Sequence, residues 1–199
     1  MKRSTRTLRY AFIVCGGLLF ANQIHAQFSV GLKGGVNLAT EQYPGFAMQN
    51  ALLGYGGASV RYKVGLVALQ AEADYSGEGG NLKAAFGGQI NKYRESYLNV
   101  PLLLQSRFPF GGYIEFGAQY GFLLSSTYDF NNTGVVNTRP AYKSGNFSVG
   151  GGFGFEFQNS YAEGLGINIR LMQGITAISS SGYGAIKTST VSLGLSERF

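Results

Sequence analysis

The sequence of 199 residues has no tryptophan, four prolines, one cysteine and one histidine, and only 13% of its residues are charged. An average globular domain has about 25% charged residues. A lone cysteine excludes a disulfide scaffold, and the scarcity of charge excludes a coiled coil. What the chain has instead is 31 glycines, 15 phenylalanines and 13 tyrosines, which favours a β protein in an unusual solvent.

Residues 1–26 have the features of a secretory signal peptide. A basic start with four Lys and Arg residues precedes an apolar stretch over 10–20. That stretch is shorter than the roughly 20 residues of a membrane-spanning helix. Ile-His-Ala at 24–26 is an acceptable cleavage sequence. We therefore predict a signal peptide over 1–26 and one domain over 27–199.

Cleavage would remove the only cysteine, Cys15, and the only histidine, His25. The mature chain would then lack Cys/His zinc sites, cysteine nucleophiles and Ser-His pairs. Twelve basic and ten acidic residues would remain, so the net charge of +6 would fall to +2 and leave no basic stripe for nucleic acid. We predict no catalytic residue, no metal, no cofactor and no nucleic-acid partner, and hence a protein that is not an enzyme.

Apolar and polar residues alternate from residue 28 to 199, as in strands with one apolar face. In the clearest example, Leu98, Val100 and Leu102 share one face while Asn99 lies on the other. Eight such segments of about ten residues occur, and that length lets a tilted strand cross a bilayer. The predicted fold is all-β: an eight-stranded antiparallel transmembrane β-barrel with an up-and-down meander.

The connections between these segments alternate in length. Short turns are predicted near 63–65, 108–112 and 158–163, and longer loops near 39–50, 77–92, 125–144 and 176–185. Short periplasmic turns and long external loops are typical of outer-membrane barrels. The pattern predicts a protein of the cell outer membrane, in contact with its lipid, with both mature termini in the periplasm.

Alternation alone does not decide which way the apolar face points, because a lipocalin-like soluble barrel would turn it inward. Three features favour the outward direction. The polar face is rich in Gly and Ser, as a narrow interior requires. Its charges balance, and aromatic residues lie near the strand ends, where interfacial girdles belong.

We predict that the charged residues of the polar face form a network that fills the lumen, because unpaired charge is costly in a medium of low dielectric constant. The ten residues are Lys33, Arg61, Glu72, Asp74, Glu95, Arg107, Glu115, Glu156, Arg170 and Arg198. One alternative is an ion path, although aqueous channels belong to wider barrels. Another is that Glu72 and Asp74 share a proton or bind a cation.

Two local features complete the sequence-based predictions. Pro101 removes a hydrogen-bond donor from its strand and therefore predicts a local bulge or distortion, unless it merely ends the strand. Aromatic and Arg residues are enriched at interaction hot spots. The candidate contacts in the external loop are Tyr128, Phe130, Arg139 and Tyr142, with aromatics resting on the barrel rim as the alternative.

Three segments carry a family resemblance. Segment 30–38 reads Val-Gly-Leu-Lys-Gly-Gly-Val-Asn-Leu, segment 97–104 reads Tyr-Leu-Asn-Val-Pro-Leu-Leu-Leu, and segment 191–199 reads Val-Ser-Leu-Gly-Leu-Ser-Glu-Arg-Phe. The chain resembles the PorT-like outer-membrane β-barrel family of Bacteroidetes, also labelled a porin family. Terminal Phe199 resembles the signal that the barrel-assembly machinery reads. Asn99 and Gln105 depart from the acidic and basic residues common there.

The sequence thus predicts a non-enzymatic structural or interaction protein of the cell envelope. A narrow channel for small solutes is the first alternative. The resemblance implies a second alternative, an accessory component of a type IX-like protein secretion system. The partner in the envelope or in secretion stays unknown at this level.

Overall fold

The computed structural model describes residues 27–42, 48–83, 90–130, 134–138, 142–158, 162–179 and 186–199. The predicted signal peptide lies outside these residues. In the described chain no helix is long and apolar enough to cross a membrane. Its strands are β1 Phe28–Gln42, β2 Gln49–Val64, β3 Val67–Lys83, β4 Ile90–Arg107, β5 Gly112–Phe130, β6 Val135–Asn137, β7 Gly145–Glu156, β8 Leu165–Gly174 and β9 Lys187–Arg198.

Eight of these strands form a closed antiparallel barrel. Each strand pairs with the next along the chain, with β5 continuing to β7. The first and last strands close the ring, from Gly31 opposite Arg198 to Gln42 opposite Lys187. Short β6 pairs with the end of β5 and lies outside the ring. Closure gives each of the eight ring strands a partner on both sides, and it confirms the predicted eight-stranded meander.

The strands extend further on the side of the long connections than the sequence predicts. β3, β4 and β5 have 17, 18 and 19 residues instead of about ten. Residues 77–83, predicted as loop, pair with 90–96 of β4. The prediction was wrong here because backbone pairing continues after the apolar alternation has stopped. The predicted short turns near 63–65 and 108–112 do occur, and Gly65 and Gly111 have φ angles of 60° and 98° there. Residues 159–161 of the third predicted turn lie outside the described residues.

The apolar face of the barrel points outward. Leu102 and Phe116 are 54% and 68% exposed, whereas Gln105, on the opposite face of the same strand as Leu102, is fully buried. Aromatic pairs lie near the strand ends, including Phe28 and Tyr62 with ring centroids 4.8 Å apart. This surface is the inverse of a soluble barrel and requires an apolar solvent.

Pro101 lies in an intact strand, but it interrupts one of the two ladders of β4. It stays in register with Gln119 of β5. On the other side, pairing with β3 stops at Leu102 and resumes at Asn99 without a shift of register. The local distortion is therefore confirmed, and it is a gap in the ladder rather than a bulge. The register shift between β4 and β5 comes instead at Leu124.

Candidate functional site in the barrel lumen

Five charged residues from four strands meet in the centre of the lumen, and we call them the middle cluster. Arg170 donates to Glu72 at 2.7 Å from Nη1 and to Glu115 at 2.7 Å from Nε. Lys33 Nζ lies 2.6 Å from Glu72 and 3.4 Å from Asp74. The side chains of Glu72 and Glu115 have no solvent exposure. The cluster thus braces β1, β3, β5 and β8 against one another.

A second group, the arginine cluster, lies nearer the end of the barrel that carries the termini. Arg61 Nη2 and Arg198 Nε lie 2.6 Å and 3.2 Å from Oε1 of Glu156. Arg107 contacts the other carboxylate oxygen. The ring of Tyr113 lies 5.2 Å from the Arg107 guanidinium and 5.9 Å from that of Arg61. The single carboxylate of Glu156 therefore forms ion pairs with three guanidinium groups.

Two neutral side chains join the clusters. Gln70 accepts from Arg61 Nε at 2.9 Å and donates to Glu72 at 2.5 Å. Gln105 accepts from Arg107 at 3.2 Å and donates toward the middle cluster. The structure thus brings nine of the ten predicted charged residues into one network. The amide of Gln105, one of the departures from the PorT-like pattern, connects the network here without adding charge.

Glu95 lies apart from this network, in the part of the lumen farther from the termini. Its neighbours there include Glu41 and Glu78, two residues of the predicted loops 39–50 and 77–92. Asn99 Nδ2 donates to Glu78 at 2.9 Å, and Ser126 Oγ lies 3.5 Å from Glu95. All three glutamates are buried. Continuing the alternation of β1 and β3 past the last apolar residue would have found the two missed glutamates.

The lumen between the middle cluster and these glutamates is nearly filled. A cavity of about 20 Å³ remains there, bordered by Asn37, Tyr55, Asp74 and Asn99 among others. That is room for one water molecule. Within the described ranges, no group of three or more acidic, His or Cys residues is placed to hold a metal ion. Between the middle cluster and the three glutamates, side chains therefore fill the lumen.

The structure does not gather the four predicted loop contacts into one described site. Tyr128 belongs to β5, opposite Val136, and its ring lies 4.8 Å from that of Tyr93. Tyr142 forms an isolated bridge with Ser179. Phe130 ends β5, and its side chain lies outside the described part, as does Arg139. The ring of Tyr128 therefore packs against β4, the neighbouring strand.

Phe199 completes the closure of the barrel at the end that carries the termini. Its backbone N–H donates to the carbonyl of Val30 at 2.8 Å, so the last residue continues the pairing between β9 and β1. Its side chain is largely exposed at this end of the barrel. The ring is therefore accessible from outside the barrel.

A closed antiparallel barrel with an apolar outer surface and a charged, packed interior is the architecture of outer-membrane β-barrel proteins. Residues 20–180 match the family model described as "Outer membrane protein beta-barrel domain". The chain belongs to that family, and the protein is an outer-membrane protein.

Solved structures agree with this fold. Ail, the attachment invasion locus protein of Yersinia pestis, crystallised with the heparin analogue sucrose octasulfate, is 11% identical over 87% of this chain and 99% of its own, with a TM-score of 0.50. Neisserial surface protein A is 11% identical over 86% and 97%, with a TM-score of 0.52. At this identity the likeness shows the fold alone. None of the curated proteins matches the chain.

Proposed function

We propose that this protein is a non-enzymatic barrel of the cell envelope that does not conduct, and that its role is structural or in binding an envelope partner. The observation that carries the proposal is the continuous network across the middle and arginine clusters. Its ion pairs link strands on opposite sides of the ring, as between Glu72 of β3 and Arg170 of β8. Such pairing fills the space that a solute would need.

A conductance measurement tests this proposal. Purified mature protein in planar bilayers is expected to give no stable open state, because the middle cluster closes the lumen. The Arg170→Ala variant, which removes the central guanidinium, is expected to show openings. Reproducible open conductance of the unaltered protein would contradict the proposal and favour the narrow channel.

The proposal includes the orientation of the barrel. We infer that residues 1–26 are removed as a signal peptide, that both mature termini face the periplasm, and that Phe199 is read by the barrel-assembly machinery. The supporting observation is that three short turns lie at the end of the barrel that carries the termini, while the long connections lie at the other end. Outer-membrane lipid would cover the apolar surface. The narrower assignment to PorT-like barrels of Bacteroidetes is supported by the three sequence segments.

Cysteine labelling checks the orientation, because the mature chain has no cysteine of its own. A Gly134→Cys variant is expected to react with a membrane-impermeant maleimide on intact cells, since residue 134 belongs to a long connection. A Glu163→Cys variant, in a short turn, is expected to react only after lysis. The reverse pattern would overturn the proposed orientation.

A further inference from the structure

A recess opens at the end of the barrel that carries the termini, below the arginine cluster. Its volume is about 820 Å³, and its border includes Phe28, Phe157 and Phe199. Pockets for small molecules commonly have about 300–1,000 Å³. Tyr113 and the two bridging glutamines lie between the arginine cluster and the middle cluster, so the recess ends blindly inside the barrel.

The side chains of this recess carry an excess of positive charge. Arg61, Arg107, Arg198 and Lys63 stand against Glu156 and Glu163. The middle cluster has the opposite balance, with two cations and three carboxylates. The positive and negative charges of the ten predicted residues balance in total, but they are separated along the barrel axis. Its positive part lies at the open recess.

Hydrogen bonding in the arginine cluster does not use up this positive charge. Besides Glu156, the acceptors of the three arginines in the described chain are neutral. Arg61 donates to Gln70, Arg107 to Gln105, and Arg198 to Ser29 and Gln70. Neutral acceptors satisfy donor groups but leave the charge uncompensated. Two guanidinium charges thus exceed what the Glu156 carboxylate neutralises.

We propose that this recess binds a small multivalent anion through its phosphate or carboxylate groups. The planar fork of arginine matches both groups in a bidentate geometry. Arg198 is the first contact, since its side chain is the most exposed of the three at 12%, and Lys63 attracts the anion at the rim. Because the lumen is packed above, the anion enters and leaves by the same opening. This binding goes beyond the proposed envelope role and does not depend on it.

Glu156 acts as an internal competitor of the anion in this arrangement. Its carboxylate holds the position between the guanidinium groups that an incoming carboxylate or phosphate would take. Removing its charge should therefore strengthen binding, whereas removing the charge of Arg198 should weaken it. Glu197 offers a matched control, because it is exposed at the same end of the barrel but points away from the lumen.

Isothermal titration of the full mature protein in an uncharged detergent, with pyrophosphate and with citrate as probes, tests the proposal. One site is expected, with about tenfold weaker binding in Arg198→Gln, the loss expected for one charge-assisted contact. Glu156→Gln should bind more tightly than the unaltered protein, and Glu197→Gln should bind within about twofold of it. If pyrophosphate binds and citrate does not, the natural ligand is a phosphate compound. If citrate binds and pyrophosphate does not, it is a carboxylate compound.

Two outcomes would overturn the proposal. One is no measurable heat with either probe for both the unaltered protein and Glu156→Gln. The other is equal strengthening in Glu156→Gln and Glu197→Gln, which would reduce the effect to general attraction by net charge. A heat-dependent shift in gel mobility, recorded for each variant, ensures that only folded barrels are compared. Neither outcome bears on conductance, so failure here is distinguishable from failure of the envelope role.

Discussion

Replacing Glu72 by alanine is expected to lower the free energy of unfolding by about 3–5 kcal/mol, the usual cost of breaking a buried ion pair from one side. The carboxylate of Glu72 lies 2.6 Å from Lys33 Nζ and 2.7 Å from Arg170 Nη1, with no solvent exposure. Its removal leaves two cations facing a single remaining partner each, Asp74 and Glu115. A water molecule in the space left by the carboxylate would carry no charge to compensate the two cations.

Urea titration of the mature protein in lipid vesicles, read by gel mobility of the folded form, measures this loss. Glu163→Gln, an exposed turn position, is the matched control and should stay within about 0.5 kcal/mol. The double variant Glu72→Ala with Arg170→Ala should lose less than the sum of the single variants, because the ion pair between the two residues is then counted only once. A loss below about 1 kcal/mol for Glu72→Ala would contradict the bracing role of the middle cluster.

The second large effect is expected at two glycines that face each other in the ring, Gly117 of β5 and Gly150 of β7. A methyl group on Gly117 would overlap the carbonyl oxygen of Leu102, and one on Gly150 would overlap that of Leu171. Both obstacles are backbone atoms of the adjacent strands, which cannot turn aside as a side chain can. The narrow ring is coiled so tightly at this point that only glycine fits.

Each alanine substitution is expected to cost about 3 kcal/mol, at the upper end of overpacking. Because folded proteins are stable by only about 5–15 kcal/mol, the double variant Gly117→Ala with Gly150→Ala should fail to give the folded form. Gly54→Ala is the control, since the nearest atom to its added methyl, the Gly35 carbonyl oxygen, lies at 3.9 Å. Refolding yield after dilution from urea checks this. Equal refolding yields for the double variant and for Gly54→Ala would contradict the claim that only glycine fits at positions 117 and 150.

The sequence determined the class of this fold before any contact was known. Alternation of apolar and polar residues depends only on the pleat of a strand, so it predicts strands, their number and their two faces locally. The absence of Cys and His from 27–199 likewise excludes whole classes of chemistry without a structure. The small residues and balanced charges of the polar face, with aromatic residues near the strand ends, favoured the direction in which the apolar face meets lipid.

Where alternation stopped, sequence-based prediction stopped with it. Residues 77–83 continue β3 because they pair with β4, a property of two strands together and not of either one. Glu41 and Glu78 were missed as lumen residues because the strands were ended at the last apolar residue, although the polar face of β1 and β3 continues beyond it. At Pro101 the sequence predicted a local bulge or distortion correctly, since the missing N–H of proline is a local property. Which of the two it is, a gap in the pairing with β3, needed the neighbouring strand.

The balance of charge on the polar face follows from the order of residues, whereas the pairs that these charges form depend on the folded barrel. Arg170 contacts Glu72 across 98 positions of the chain, a pairing set by the curvature and closure of the whole ring. The same closure gathers three arginines around Glu156 at one end and glutamates at the other. The net charge of the polar face is a sum over its residues, so the sequence is enough to calculate it. The separation of positive and negative charge along the barrel axis depends on where folding places each residue.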